Sequence, residues 1–152
     1  LTTRDRVHNL TSGAACTSCH GVINPIGFAF EAYDALGRVR QGRRQNIYDE
    51  TGKVIASLPV ATEGMAQVNM GEPVAIQDAV DLSKKIAESG KGEACFAKTY
   101  YRYTFKKMED DKMDGCGLLN LYKKLQAKDG GMLAMFKEVT QQRAFLLRKV
   151  AK

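Results

Sequence analysis

Two cysteines and a histidine in the first part of the chain have a spacing that suits covalent attachment of a haem. Cys16, Cys19 and His20 form the pattern Cys-x-x-Cys-His within the run CTSCH. Two thiols at this spacing reach the two vinyl groups at one edge of a porphyrin, and the adjacent imidazole then lies beneath the iron. The pattern predicts one covalent haem c, with Cys16 and Cys19 as thioether donors and His20 as the proximal iron ligand.

A haem held in this way exchanges single electrons without catalytic side chains, because the protein supplies only a dry pocket, axial ligands and an accessible haem edge. The predicted function is therefore electron transfer, by a carrier rather than an enzyme. Two alternatives from other classes stay open. One is a haem enzyme or sensor with an open distal site, for example one that reduces peroxide. The other is a structural module of a larger complex, stabilised by its haem.

The same cysteine pair has two other readings. It would supply half of a zinc site if Cys95 with Cys116, or His8 with His20, gave the remaining ligands, but neither pair has the tight spacing of a zinc ribbon or finger. A thioredoxin-like redox pair would follow a strand in a βαβ pattern, which this sequence lacks. Covalent haem attachment is therefore the preferred interpretation.

The sixth iron ligand lies outside the motif. Met65 is the first candidate, because it lies in a loop well downstream, as the ligating methionine of small cytochromes c does. Met70 and His8 are the alternatives, and Met108, Met113 or an open position complete the possibilities. A thioether ligand would raise the haem potential relative to ligation by two histidines. The identity of this ligand decides between a carrier and a catalyst.

Other polar groups are expected near the haem. Asn24 and Pro25 follow the proximal histidine in a predicted loop, where a backbone carbonyl is expected to accept the Nδ1 hydrogen of His20, although a plain turn explains them equally well. Arg38 and Arg40 are candidates for neutralising the haem propionates, and a solvated surface position is the alternative for both.

The residues after the motif resemble a known family. Residues 16–40 read CTSCHGVINPIGFAFEAYDALGRVR. This run resembles the haem-attachment region of the planctomycete-type cytochrome proteins, which have paired C-terminal domains of unknown function. In that family the cysteine motif is followed by a pattern similar to I-D-P-x-G-F-x-x-E-x-F-D-x-x-G-x-x-R. This chain matches the pattern, with Asn24 where Asp is usual, at Ile23, Pro25, Gly27, Phe28, Glu31, Tyr33, Asp34, Gly37 and Arg40.

The resemblance continues into the second half of the chain. Similar positions are Cys95-Phe96, Tyr101-Arg102-Tyr103, Asp114-Gly115-Cys116 and Phe145 to Arg148, whereas Lys106-Lys107 replace the Gly-Arg that ends the family's helix. The family implies exported, haem-binding bacterial proteins, often appended to larger chains, so the expected location is periplasmic or otherwise exported. Family members often have cysteines at positions 95 and 116. A Cys95–Cys116 disulfide is therefore expected, with two free buried thiols as the alternative.

Charge and composition limit the partners. The chain of 152 residues has a net charge of +6, which suits redox proteins with acidic surfaces, or else only a well-solvated surface. The Lys and Arg residues lack the interleaved aromatics of a nucleic-acid interface, so no nucleic-acid partner is expected. No run is apolar enough to cross a bilayer. Any export signal is expected to have been cleaved or to lie in a longer parent chain.

Periodicity predicts a mainly α fold, a c-type cytochrome-like helical domain with a small β-hairpin. Residues 1–152 are expected to form one domain, with a haem-attachment half at 1–56 and a helical half at 73–152. Loops are expected at 21–27 and 57–72, and a hairpin within 38–56 around Gly52. Helices are expected over 2–10, 28–36, 73–90 and 93–108, from an N-cap at Asp114 to about Gly130, and over 132–146.

Overall fold

The structure is a computed structural model that describes residues 1–147. The chain divides into two compact units, Leu1–Ser89 and the residues from Gly90 onward. The fold is mainly α, with seven α-helices and two small antiparallel hairpins among the described residues. The unit boundary falls inside the stretch expected to be the helical half. The prediction of a single domain stays a prediction.

The first unit begins with a well-capped helix, α1 (Thr3–Thr11). The hydroxyl of Thr2 accepts from the backbone N–H of Asp5 at 3.2 Å, and the Asp5 carboxylate accepts from the backbone N–H of Thr2 at 2.9 Å. This reciprocal pair satisfies two N–H groups that a helix start otherwise leaves without partners. The expected helix over residues 2–10 is therefore confirmed within a residue or two.

The second helix, α2 (Ala14–Phe28), includes the whole cysteine motif and continues through Pro25. The predicted loop at residues 21–27 is wrong. A proline inside a helix removes one backbone hydrogen bond and crowds the carbonyl four residues earlier. Here the helix has compensating contacts: Asn24 makes two side-chain hydrogen bonds, and the Pro25 ring packs against Gly64.

The predicted helix over residues 28–36 is also wrong, because α2 ends at Phe28 and tight turns follow. The N–H groups of Phe30 and Glu31 bond to carbonyls three residues earlier, at 3.1 Å each. Tyr33 then forms an isolated antiparallel bridge with Val39. These turns reverse the chain before a 3-10 turn at Gln41–Arg43 leads into the first strand.

The expected hairpin is confirmed as β1 (Arg44–Tyr48) paired antiparallel with β2 (Val54–Pro59). Gly52 in its turn has φ +82°, a backbone conformation that favours glycine. A second hairpin, β3 (Gly64–Ala66) with β4 (Val74–Ile76), occupies a stretch where a loop and the start of a helix were expected. Three-residue strands are too short to show a reliable alternating pattern in sequence.

The helix expected to begin near Pro73 starts later, as α3 (Ala79–Glu88). Asp78 is its N-cap and accepts from the N–H groups of Val80 and Asp81, at 3.0 Å each. The apolar core of the first unit lies between this helix, the second hairpin and the end of α2. It consists of Ala29, Ala66, Val68, Ile76 and Leu82, with Ile26 packed against it.

The second unit is helical. Its elements are α4 (Lys91–Phe105), α5 (Asp111–Gln126), α6 (Met132–Val139) and α7 (Arg143–Leu146). The core of this unit consists of Ala97, Tyr101, Leu121, Met135 and Val139. The expected helix over 132–146 is thus interrupted after Val139. Within the part of the chain that the structure describes, every helix is too short or too polar to traverse a lipid bilayer.

The predicted N-cap at Asp114 is wrong, because Asp110 caps α5 and accepts from the N–H groups of Lys112 and Met113. Asp114 lies inside the first turn of the helix and is buried. It accepts two hydrogen bonds from the Lys107 ammonium, at 3.0 and 2.9 Å. Two aspartates four residues apart both fit the sequence rule for a helix start, and only the backbone path chooses between them.

Candidate haem-attachment site

Helix α2 places the three motif residues on one face. Gly13 is its N-cap, and the Gly13 carbonyl accepts from the backbone N–H of Cys16 at 2.9 Å. Because an α-helix has about 3.6 residues per turn, residues three, four and seven positions apart share a face. Cys16, Cys19, His20 and Ile23 are spaced in this way. The helix therefore presents two thiols, an imidazole and an apolar side chain in the same direction.

This face is accessible to a ligand. Cys19 is exposed, Cys16 and His20 are partly buried, and both thiols are free. Ile23 is 57% exposed and its neighbour Val22 is 48% exposed. Large aliphatic side chains are usually covered when a partner surface is available. A planar apolar group lying on this face would cover Ile23 and still reach the thiols.

The imidazole of His20 is held by a side chain one turn along the same helix. Its Nδ1 atom lies 3.0 Å from Oδ1 of Asn24. The amide of Asn24 makes a second contact at its other end, where Nδ2 donates to the hydroxyl oxygen of Thr11 in α1 at 2.8 Å. The Thr11 hydroxyl in turn donates to the backbone carbonyl of Val7 at 2.7 Å. We call these four groups the His20 relay.

The Val7 carbonyl determines which group donates and which accepts in every hydrogen bond of the His20 relay. The Val7 carbonyl only accepts, so the Thr11 hydroxyl uses its single hydrogen there and is an acceptor toward Asn24. The Asn24 amide therefore turns its NH₂ group to Thr11 and its oxygen to His20. Neutral His20 must then have its hydrogen on Nδ1, which leaves a free lone pair on Nε2. A free Nε2 lone pair is what metal ligation requires.

The structure refines what was expected of Asn24 and Pro25. The predicted acceptor for His20 was a backbone carbonyl in a loop, whereas the acceptor found is the Asn24 side chain within a helix. The four-residue spacing of His20 and Asn24 is the sequence feature that indicates this contact, provided that the segment is helical. Pro25 packs on the second hairpin, where a Cβ on Gly64 would lie 3.6 Å from the Pro25 Cβ.

The two arginines expected near the propionates have local partners. Arg38 pairs with the Asp34 carboxylate at 2.7 Å, and Arg40 donates from Nε to the Glu31 carbonyl at 3.1 Å. Both side chains line one cleft together with Arg44. Their role toward a propionate stays a prediction.

The candidate sixth ligands are all exposed. Met65 is 55% exposed and Met70 is fully exposed, and His8 lies on the exposed surface of α1. Met108 and Met113, in the second unit, are 67% and 79% exposed.

The position of Met65 on its strand bears on its candidacy. Strand β3 packs on α2 through Gly64, which contacts Pro25, and the next residue of the same face, Ala66, is fully buried. Successive side chains in a strand point to opposite faces. Met65 therefore follows directly after a residue that packs on α2, but its own side chain lies on the opposite, exposed face of the strand.

The remaining cysteines lie in the second unit, on two consecutive helices. Cys95 belongs to α4 and Cys116 to α5, and both are exposed with free thiols. The buried free thiols that were the alternative are therefore not found. The disulfide stays a prediction for the oxidised protein.

The fold of the described residues does not assemble the ligands that the alternative zinc site would need. Among residues 1–147, no three side chains of His, Cys, Asp or Glu come together in an arrangement that would hold a metal ion. The groups proposed to complete such a site with Cys16 and Cys19 are thus not assembled in the described part of the chain.

Comparison with known proteins gives one result, for the first part of the chain. No curated protein and no solved structure matches this sequence significantly. The resemblance noted in the second half is not covered by any match. Residues 1–43, which include the cysteine motif, Asn24, Arg38 and Arg40, match PSCyt3, described as "Protein of unknown function (DUF1588)", a planctomycete domain associated with cytochromes c.

Proposed function

We propose that this protein is a c-type cytochrome that binds one haem covalently through Cys16 and Cys19, uses His20 as an axial ligand, and transfers single electrons in an exported compartment. The observation that carries the proposal is the His20 relay, which fixes the hydrogen on Nδ1 and leaves Nε2 free on the helix face that also presents both thiols. Neither a structural helix nor a plain turn requires that arrangement.

Each residue has a definite task in this proposal. The haem, once bound, supplies the one-electron chemistry of its iron. Cys16 and Cys19 would hold its position, because two thioether bonds one helical turn apart would prevent rotation on the helix face. His20 would ligate the iron through its Nε2 lone pair. Asn24 keeps the imidazole plane and its tautomer fixed, so that the Nε2 lone pair is available for ligation.

Apolar exposure on the same face supports a haem over a smaller cofactor. Ile23 is 57% exposed, and a porphyrin is large and flat enough to shield this side chain while its edge meets the thiols. Shielding Ile23 would also stabilise the bound state, by about 25 cal/mol for each Å² of apolar surface removed from water. Thioether attachment takes place outside the cytoplasm, so export is part of the proposal.

Expression of the exported chain together with a cytochrome c maturation system tests the proposal. The wild type is expected to keep a c-type pyridine haemochrome spectrum after denaturation and solvent extraction, because the haem is covalently bound. The variant Cys16→Ser/Cys19→Ser should lose it. The variant Cys95→Ser/Cys116→Ser is the matched control, since it removes the same number of cysteines and should retain the haem. Wild-type protein without covalent haem would refute the proposal.

A haem protein with an open sixth position is the second candidate function. It is favoured by the exposed orientation of Met65 on β3 and by the full exposure of Met70. An electron carrier with both axial positions filled binds carbon monoxide slowly in the ferrous state. Rapid carbon monoxide binding by the ferrous protein at neutral pH would support an enzyme or sensor, whereas a methionine band in the ferric spectrum would support the carrier.

A further inference from the structure

A second surface of the first unit has the character of a binding site. It is a cleft of about 820 Å³ beside the first hairpin. We call it the arginine cleft, and its chemically distinctive lining residues are Leu36, Arg38, Val39, Arg40, Arg44 and Tyr48. None of these residues belongs to the cysteine motif or to the His20 relay.

The charge of the arginine cleft is strongly unbalanced. Its lining holds three arginines and one carboxylate, Asp34. That carboxylate is already satisfied: Oδ2 accepts from Arg38 Nε at 2.7 Å, and Oδ1 accepts from the N–H groups of Leu36 and Arg38, both at 2.9 Å. These hydrogen bonds hold the pKa of Asp34 below its ordinary value, so it stays charged and paired. Arg40 and Arg44 have no carboxylate partner in the lining of the cleft, although the charge of Arg40 also acts on the nearby Glu31 carboxylate.

Both of these arginines are oriented by the fold. Arg40 donates from Nε to the Glu31 carbonyl at 3.1 Å. Arg44, on β1, donates from Nε to the Ser57 hydroxyl of β2 at 3.2 Å and from Nη2 to the Ser57 carbonyl. A guanidinium has five N–H donors in a planar fork, so these anchors leave further donors available to a carboxylate. An oriented guanidinium loses less entropy when it binds a carboxylate than a freely rotating lysine does.

Apolar side chains lie among the charges. Leu36 is 76% exposed, Val39 is 68% exposed and Tyr48 is 57% exposed. Tyr48 and Arg44 belong to the same face of β1, since they are separated by an even number of residues. Asn46 lies between them on that face, and the other charged and apolar groups of the cleft come from residues 36–40, which are not part of a strand. Positive and apolar side chains therefore share the lining of the cleft, which fits a ligand that has both acidic and apolar groups. An extended acidic peptide supplies both kinds of group, and a simple inorganic anion does not.

We propose that the arginine cleft binds an extended acidic segment of a partner protein, with its carboxylates on Arg40 and Arg44 and its apolar side chains on Leu36, Val39 and Tyr48. The net charge of +6 would accelerate the encounter, and the cleft would set its orientation. If the chain is a cytochrome, the segment belongs to its redox partner; the binding itself does not depend on the haem.

Fluorescence anisotropy with a short fluorescein-labelled peptide in which Glu and Leu alternate tests this proposal on the full chain. Binding is expected, and raising the salt concentration should weaken it. Arg40→Gln/Arg44→Gln should weaken it by about tenfold, as the loss of partly desolvated charge pairs does. Leu36→Glu provides a second variant, because it adds a negative charge to the arginine cleft without removing an arginine that supports the hairpin. It should also weaken binding of the peptide.

Lys53→Gln/Lys84→Gln is the matched control, since it removes the same charge from exposed positions of the first unit outside the cleft. It should bind the peptide almost as well as the wild type does. Equal losses in the cleft and control variants would overturn the proposal in favour of net charge alone. Failure of the wild type to bind would also overturn it. A third outcome would overturn it as well: Arg40→Gln/Arg44→Gln changes the haem potential but binds the peptide as well as the wild type does. The cleft would then serve the haem propionates.

Discussion

Oδ1 of Asn24 lies 3.0 Å from Nδ1 of His20, and the opposite end of the same amide is held by Thr11 of a different helix. A histidine oriented in this way is prepared for ligation before any metal arrives. The free energy needed to fix the tautomer and the ring plane of His20 is supplied when α1 packs on α2, because Thr11 of α1 then orients Asn24. The relationship therefore links the packing of two helices to the chemistry proposed for one imidazole.

The tautomer of His20 can be measured directly in the haem-free chain. Long-range ¹H–¹⁵N NMR should show neutral His20 with its hydrogen on Nδ1, whereas exposed His8 should show the ordinary mixture of tautomers and serves as the internal reference. Thr11→Val should shift His20 toward the Nε2–H form, because the amide of Asn24 then loses the acceptor that orients it. Thr11→Ser keeps the hydroxyl and should behave as the wild type. An Nε2–H tautomer in the wild type would contradict the His20 relay.

Glu109 should make the second unit sensitive to acid. Its carboxylate is 6% exposed and pairs with Arg102 at 2.6 Å and with Lys98 at 2.5 Å. The Arg102 guanidinium, followed by the Lys98 ammonium, holds the pKa of Glu109 far below its ordinary value. Because the folded pKa lies below the unfolded value of about 4.3, the stabilisation is complete above about pH 5 and is lost as the pH falls through the folded pKa.

Glu109→Gln should accordingly lower the urea midpoint of the second unit at pH 7, and the difference from the wild type should shrink at pH 3. Asp129→Asn, at an exposed position of the same unit, should leave the midpoint nearly unchanged at both values. A wild-type advantage that is the same at pH 3 and pH 7 would show that the pair contributes through packing instead of charge.

Glu31 should have the opposite pH dependence. Its Oε2 atom is buried and has no hydrogen-bond partner, and this burial raises the pKa of the Glu31 carboxyl, while the nearby charge of Arg40 opposes the rise. A raised folded pKa means that the stability of the wild type falls as the pH rises above the unfolded value of about 4.3. Glu31→Gln removes this loss.

The thermal midpoints of Glu31→Gln and the wild type should therefore differ more at pH 7 than at pH 4, in favour of the variant. Glu72→Gln, which changes an exposed carboxylate of the same unit, should not show this divergence. A difference in thermal midpoint between the wild type and Glu31→Gln that stays constant from pH 4 to pH 7 would contradict this prediction. It would mean that the Glu31 carboxylate is hydrated in the folded protein.

Two glycines at the start of α4 should respond oppositely to alanine. Gly90 has φ +68°, and a Cβ there would lie 2.5 Å from the Tyr122 hydroxyl oxygen. Gly90→Ala should destabilise the second unit by about 1 kcal/mol or more, since both the backbone and the contact are unfavourable. Gly92 is helical, with open space around its would-be Cβ. Gly92→Ala should be neutral or stabilising by up to about 1 kcal/mol in chemical unfolding.

Local features of the fold were predictable because their causes are local. The turn at Gly52 lies between Ile47-Tyr48 and Val54-Ile55, and the hairpin expected there is present. Asp110 and Asp114 both satisfy the sequence rule for a helix start, so the rule alone chose the wrong one. Pro25 indicated a loop, and only its packing against Gly64, with the contacts of Asn24, explains the continuous helix.

The sequence by itself determined the chemistry available to this protein: the spacing of Cys16, Cys19 and His20 specifies two thiols and an imidazole within one helical turn or so of each other, wherever that segment lies. The tertiary structure decided which nitrogen of His20 is free, because Asn24 is oriented by Thr11, thirteen residues earlier in the chain. It also decided that Arg40 and Arg44 share one cleft. Contacts of this kind depend on how separate helices and strands pack together. The periodicity of one element shows which of its faces is apolar, but not which other element covers that face.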